Sequence, residues 1–223
     1  MVDSLQAIIW DFDGTLVNSE PYWHGEEKRL VAEHGGSWTD EDAARMVGQH
    51  VRIAAQHLAE AMGRPDDGDD VMEELVSRVA RRISDRMPYM PGALELVEEA
   101  AAQGIRQGIV TASNQDILDA AMAQLPPAFE FIITANDVTH PKPNPEAYEL
   151  ALQRLDLQAS QCVILEDSIS GSAAGLAAGG FVVGVPMHQP LEPHPRLAII
   201  DDGLATTNLD RLVDTWRGLK DAE

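Results

Sequence analysis

Short apolar runs bounded by turn residues punctuate the chain at Ala7 to Trp10, Gly108 to Thr111, Phe131 to Thr134, Cys162 to Leu165, Phe181 to Val185 and Leu197 to Ile200. Each is continuous rather than alternating, which is the pattern of a strand covered on both faces. Between most of them the apolar positions switch to helical spacing: Ala93, Leu94, Leu96, Val97 and Ala100, then Ile117 to Met122, then Glu146 to Leu155, then Ser170 to Ala178. Strand alternating with helix predicts an α/β fold built on a doubly wound parallel sheet.

One segment breaks that rhythm. From about Val17 to Met87 the pattern is helical throughout, with Met72, Leu75, Val76, Val79, Ile83 and Met87 on one stripe and Ala54, Leu58, Ala61 and Met62 on another. Four or so helices inserted after the first strand predict a small all-helical domain at residues 17–88, with residues 1–16 and 89–223 forming a Rossmann-like core. The return falls at Met87-Pro88-Tyr89-Met90-Pro91-Gly92, where two prolines stop a helix and favour an extended link. Asp66-Asp67-Gly68-Asp69-Asp70 lacks the spacing of a calcium loop and reads as a solvated turn, with Asp69 or Asp70 capping the next helix.

Charge narrows the partners. The 37 acidic and 16 basic side chains leave a net charge of −21, which repels nucleic-acid backbones and anionic lipid, so neither nucleic acid nor membrane is expected as a partner. No Lys or Arg precedes Lys28 and no apolar run reaches membrane-spanning length, so a cytoplasmic location is expected; a monomer or weak dimer is the expected state. Cys162 is the single cysteine and lies within an apolar run, the setting of a core residue.

The strand ends carry the chemistry. Asp11 and Asp13 follow the first apolar run at i and i+2, and residues so spaced in a strand project to the same side. Two carboxylates crowded into one crevice demand a cation, and the carboxyl ends of parallel strands are where ligands bind. Gly14 and Thr15 behind them suit a loop closing over a ligand. Glu166-Asp167 ends another strand, so one carboxylate would enter the crevice and its neighbour support it. Hard oxygen donors without His or Cys nearby point to Mg²⁺. Thr111-Ala112-Ser113-Asn114 offers hydroxyls and backbone N–H groups at a helix start, a place for an anion or an ordinary cap. Lys142, one of three lysines, sits in the proline-stiffened His140-Pro141-Lys142-Pro143-Asn144-Pro145, where it would present a compact positive charge to a phosphoryl group.

In chain order these strand ends deliver a carboxylate pair, a hydroxyl, a lysine and a second acidic pair. The combination resembles the haloacid dehalogenase superfamily, with Asp11-Phe12-Asp13-Gly14-Thr15, Thr111, Lys142 and Glu166-Asp167 similar to its four motifs in turn. The likeness spans nearly the whole chain, and the helical insert is similar to the cap of the subgroup holding β-phosphoglucomutase and small sugar phosphatases. Asn18-Ser19-Glu20-Pro21-Tyr22-Trp23 is similar to the start of that cap in the phosphatases.

The resemblance implies a Mg²⁺-dependent reaction on a small phosphorylated metabolite, with Asp11 as nucleophile and Asp13 as general acid and base. Asp11, Asp13 through its backbone carbonyl, and Asp167 would hold the metal, with Glu166 in support; Thr111, Lys142, Ser113 and Asn114 would meet the phosphoryl group. The insert would close over the site by hinges near residues 16–18 and 89–91. His50 and Arg52, within Gly48-Gln49-His50-Val51-Arg52, are candidate substrate contacts or ordinary solvated residues of a helix start.

A phosphatase acting on a sugar phosphate is the favoured expectation. A β-phosphoglucomutase-like mutase would share the core motifs, but Trp23 stands where such mutases carry a cap His, with His24 adjacent. Asp13 disfavours a dehalogenase or a phosphonate hydrolase, and an intact set of motifs disfavours a non-catalytic binding protein.

Overall fold

A computed structural model of the chain describes residues 4–46, 51–113, 115–187 and 189–222. Within it the chain packs as two compact units. The first takes the described residues of Met1–Asn18, Pro88–Gln115 and Leu125–Glu223; the second takes those of Ser19–Met87 and Asp116–Gln124.

The first unit is built on a six-stranded sheet. Strands β1 (Ala7–Trp10), β2 (Arg106–Val110), β3 (Phe129–Ile133), β4 (Cys162–Glu166), β5 (Phe181–Gly184) and β6 (Leu197–Ile199) lie in the order β3-β2-β1-β4-β5-β6. Every neighbouring pair is parallel. All six expected strands form, within two residues of the expected ends. Helices α5 (Ala93–Ala102), α7 (Glu146–Leu155), α8 (Ile169–Ala177) and α9 (Leu209–Asp221) belong to this unit.

Burial follows position in the sheet. The central strands β1, β4 and β5 are buried throughout, while edge strands β3 and β6 are only partly covered, so β3 can carry the exposed Glu130. Ile9, Val110, Ile133, Tyr148, Leu155, Ile164 and Val182 share one buried cluster, and Cys162 belongs to it as a small core residue. Burial pushes the Cys162 thiol up to about 12, so it stays protonated and inert. One polar pair is buried inside: Trp10 Nε1 donates to Gln107 Oε1 at 2.9 Å, and Gln107 Nε2 donates to the Val97 carbonyl at 2.9 Å. Each partner thus offsets the desolvation of the other.

The chain leaves β1 for β2 and β3 on one side, then crosses to β4 on the other side of β1. Strand order therefore reverses at β1, and the crevice of such a sheet lies beyond the carboxyl ends of the strands flanking that point. Trp10 pairs with Ile109 and with Leu165, so Asp11, Val110 and Glu166 come to the same level.

The second unit is helical among its described residues: α1 (Glu20–Glu33), α2 (Asp40–Met46), α3 (Val51–Ala61), α4 (Gly68–Asp85) and α6 (Gln115–Met122), the last from Asp116 onward. Its buried stripe includes Leu30, Val31, Ala55, Leu58, Leu75, Val79 and Ile83, as the helical spacing predicts. Two details depart from expectation. The N-cap position of α4 falls on Asp67, whose side chain makes no capping bond, and Asp69 and Asp70 lie in the first helical turn. There they meet the positive end of the helix dipole, a weaker but favourable use of the same charge. Second, α6 packs with the helical unit although its sequence lies between two core strands. Gln124 accepts from the Met87 N–H at 2.8 Å and donates to the Ile83 and Ser84 carbonyls at 2.5 and 2.6 Å, satisfying the end of α4.

No helix among the described residues is long and apolar enough to cross a membrane.

Candidate active site

Asp11 is the first residue past β1, and its backbone N–H still bonds the Leu165 carbonyl at 2.9 Å. The sheet ladder thus fixes where its carboxylate stands. Beyond it the chain turns sharply: Leu16 and Val17 both donate to the Phe12 carbonyl, and Gly14 donates to Val17. Gly14 has φ +88°, and a Cβ there would sit 2.2 Å from Asp167 Oδ2. Only glycine meets both requirements, a left-handed backbone and contact with a carboxylate.

Lys142 lies 131 residues further along and reaches the same point. Its Nζ is 2.6 Å from Asp11 Oδ1, 2.6 Å from Glu166 Oε1 and 3.0 Å from the Val110 carbonyl, so every ammonium hydrogen has an acceptor. The loop carrying it is tied from outside by Glu146 at the start of α7, whose carboxylate accepts from the N–H groups of Thr139 and His140 at 2.7 and 2.9 Å. These bonds hold the Glu146 carboxyl below its usual range.

Glu166, the last residue of β4, is fully buried. Its Oε1 also accepts from the Tyr148 hydroxyl at 2.6 Å, and its Oε2 accepts from Ser168 Oγ at 3.0 Å. Ser168 in turn caps α8, accepting from the Gly171 N–H at 3.0 Å. A Cβ on Gly171 would come within 1.8 Å of Glu166 Oε1, so helix and carboxylate meet with no room for a side chain. Asp167 is half-buried alongside.

The third element is the loop after β2. Thr111 is buried, its Oγ1 accepts from the Ser113 N–H at 2.9 Å, and Ser113 Oγ donates to Asp13 Oδ2. The hydroxyl-bearing turn therefore supports the second carboxylate of the first pair.

Electrostatics define what the cluster lacks. Asp11 and Glu166 share the Lys142 ammonium, and the charges of Glu166 and Asp13 act on Asp167 beside them. Burial, then the charge of Glu166, pushes the Asp11 carboxyl well above the ordinary range against the pull of Lys142. Asp167 is pushed up to about 7 by burial first and Glu166 second. Burial opposes the Lys142 charge, but Asp11 and Glu166 outweigh it and hold the ammonium protonated well above the usual lysine range. Asp11 and Asp167, both resisting ionisation, are groups that a further cation would relieve. Oxygens of Asp11, Glu166 and Asp167 lie within 4.8 Å of one another, so the donor set fits a hard divalent ion such as Mg²⁺.

The structure thus brings together Asp11, Asp13, Thr111, Ser113, Lys142, Glu166 and Asp167. Arg52 belongs to the helical unit, at the start of α3, where its guanidinium pairs with Asp69 of α4. His50 and Asn114 lie outside the described residues. Sequence reasoning missed Tyr148 and Glu146. A buried aromatic residue in a helix reads as core, and only the spacing from Lys142 to the first turn of α7 hinted that these side chains would face its loop.

A family model described as haloacid dehalogenase-like hydrolase matches residues 8–185. Validoxylamine A 7'-phosphate phosphatase of Streptomyces hygroscopicus subsp. limoneus is 32% identical over 189 residues, covering 81% of this chain and 85% of its own. Hexitol phosphatase A of Escherichia coli is 30% identical over 198 residues, covering 88% of each. Among solved structures, β-phosphoglucomutase from Clostridium difficile superposes with a TM-score of 0.71 at 19% identity, covering 95% of this chain and 97% of its own, a likeness of fold.

Proposed function

The chain belongs to the haloacid dehalogenase-like hydrolases, and on that premise we propose that it is a Mg²⁺-dependent phosphatase releasing phosphate from a small polyhydroxylated phosphomonoester through an aspartyl-phosphate intermediate. The observation that carries this reading is the sharing of the buried Lys142 ammonium between Asp11 and Glu166, with Asp13 and Asp167 adjoining. Two relatives at 30% identity or better, each covering most of this chain, are named as phosphatases, one of a hexitol and one of validoxylamine A 7'-phosphate. That supports a sugar-like leaving group.

Asp11 attacks phosphorus in line; the bond to the ester oxygen breaks and an aspartyl phosphate forms. Asp13, oriented by the Ser113 hydroxyl, gives a proton to the departing alkoxide. It then takes one from the water that attacks the phosphoenzyme, releasing phosphate and restoring Asp11. Lys142 and the Thr111 turn offer positive charge and N–H donors to the transferring oxygens. Asp11, the backbone carbonyl of Asp13 and Asp167 would hold Mg²⁺, with Glu166 supporting. When bound, Mg²⁺ neutralises charge on the phosphoryl oxygens and keeps Asp11 ionised.

The test is phosphate release with Mg²⁺ across hexitol, sugar and polyol phosphates, phosphoglycolate and nucleotides, alongside Asp11→Asn. Release from a polyol or sugar phosphate, abolished in that variant, supports the reading. Undiminished activity in Asp11→Asn sinks the nucleophile assignment. Conversion of glucose 1-phosphate to glucose 6-phosphate without phosphate release would instead identify a mutase.

A further inference from the structure

We propose that Tyr148 is a positioning residue: its hydroxyl keeps Glu166 satisfied while Lys142 turns one N–H from Glu166 to a phosphoryl oxygen during transfer. The inference rests on the phosphoryl-transfer reading above and goes beyond it to a residue outside the matched motifs.

The problem arises from counting hydrogens. An ammonium has three, and those of Lys142 are taken by Asp11 Oδ1, Glu166 Oε1 and the Val110 carbonyl. None is left for an incoming phosphoryl group. For Lys142 to serve that group, one acceptor must give up its donor. Asp11 is the attacking group, and its bond to Lys142 orients it. The Val110 carbonyl lies at the end of β2 and would be left buried without a partner. Glu166 differs, because its Oε1 has a second donor.

That second donor is Tyr148. Its hydroxyl lies 2.6 Å from Glu166 Oε1, the same distance as Lys142 Nζ. The residue is fully buried on α7, so the ring cannot swing to water. Burial, then the charge of Glu166, holds the phenol well above its ordinary range, so it remains a donor. The ring itself lies beneath the ammonium, with Nζ 5.0 Å from its centroid. A cation near a ring face is stabilised without using a hydrogen. One side chain therefore supports both partners, the carboxylate by its edge and the ammonium by its face. Without the Tyr148 hydroxyl, a turn of Lys142 would leave Glu166 Oε1 buried with no donor, Ser168 serving only Oε2, and an unpartnered buried carboxylate oxygen carries a heavy penalty. Tyr148 removes most of it at the moment Lys142 turns away. No proton moves; the ammonium keeps its three and only a hydrogen-bond partner changes.

Tyr148→Phe keeps the ring and its volume and deletes only the hydroxyl. The experiment measures steady-state hydrolysis with Mg²⁺ and competitive inhibition by vanadate, which mimics the five-coordinate transition state, and by inorganic phosphate. Each is taken in the wild type, Tyr148→Phe, Lys142→Ala and the double variant. The expected result is about a tenfold loss in kcat and in vanadate affinity for Tyr148→Phe, with KM and phosphate affinity within about twofold. On the Lys142→Ala background the same substitution should change vanadate affinity by less than about twofold, because the residue it acts through is gone. An equal loss on both backgrounds, or none on either, overturns the inference, since a merely structural role adds independently. Should Lys142→Ala not fold, the split between kcat and KM decides: a loss confined to KM overturns the inference, and one confined to kcat supports it. A wild-type protein that neither hydrolyses phosphomonoesters nor binds vanadate would refute the proposed phosphatase itself, an outcome distinct from a silent Tyr148→Phe.

Discussion

Lys142 Nζ stands 2.6 Å from Asp11 Oδ1 although 131 residues separate them. Both side chains are almost wholly buried, so each is the principal counter-charge of the other. Lys142→Ala should therefore cost more than a surface pair would. Leaving Asp11 and Glu166 buried without their cation is expected to lower stability by about 3–5 kcal/mol. Urea unfolding at neutral pH checks this; a midpoint equal to the wild type would contradict it.

Metal and stability should be linked. A group that binds the folded chain alone stabilises it by mass action, and Asp11, Glu166 and Asp167 are a cluster that a divalent ion relieves. Chelation with EDTA is expected to stop phosphate release, and excess Mg²⁺ to restore it. In parallel, the melting temperature should rise with Mg²⁺ in the wild type and show a much smaller rise in Asp167→Ala.

The tight approach of Gly14 to Asp167 predicts a metal-site phenotype for a small substitution. In Gly14→Ala the new Cβ would meet Asp167 Oδ2 at 2.2 Å, on a backbone with φ +88°. The left-handed conformation alone costs about 1–2 kcal/mol for a residue with a Cβ. Displacement of Asp167 should in addition raise the Mg²⁺ concentration needed for half-maximal activity. Unaltered Mg²⁺ dependence would show that Asp167 is not a ligand.

Asp13→Asn should lower turnover by about a hundredfold to ten-thousandfold, the usual contribution of a positioned acid or base. The loss should depend on the leaving group. With an aryl phosphate, which departs without a proton, phosphoenzyme formation should survive and its hydrolysis become limiting. A rapid-quench burst of aryl alcohol followed by a slow steady state is the expected record.

Glu27, in the helical unit, gives a pH prediction. It is buried in α1 and accepts from Trp38 Nε1 at 3.2 Å. Burial, chiefly, raises its carboxyl above the usual 4.5. A raised acid binds its proton more tightly when folded, so its contribution is most favourable below pH 4.5 and is lost as pH rises through the folded value. Glu27→Gln, which can still accept from Trp38, should melt above the wild type at pH 7, with the gap closing toward pH 4.

Much of this was legible in the chain because strand ends are encoded locally. Continuous apolar runs mark buried strands, and the polar residue that follows each one must lie at the mouth of the sheet. Asp11, Thr111 and Glu166 could thus be placed together from pattern alone. Tyr148 could not, since its apolar ring satisfies the periodicity of α7 and conceals what its hydroxyl does. The misplaced cap of α4 has a local cause: Gly68 already joins the helix, so the start shifts back to Asp67. Nor could periodicity assign α6 to a unit, because amphipathic spacing says that a face is buried and not against what.

That last point bears on how such proteins can be recombined. Ile117, Leu118 and Ala121 are buried in α6, and Gln124 supplies the hydrogen bonds that finish α4. The helical unit is therefore not a cassette cut cleanly at two junctions. Excising residues 19–87 would strip Gln124 of the helix end it satisfies, and transplanting those residues into a sister enzyme would leave that end ragged. A functional chimera must carry residues 116–124 as well, so inheritance of the insert is bound to a stretch that the order of strands and helices assigns to its host.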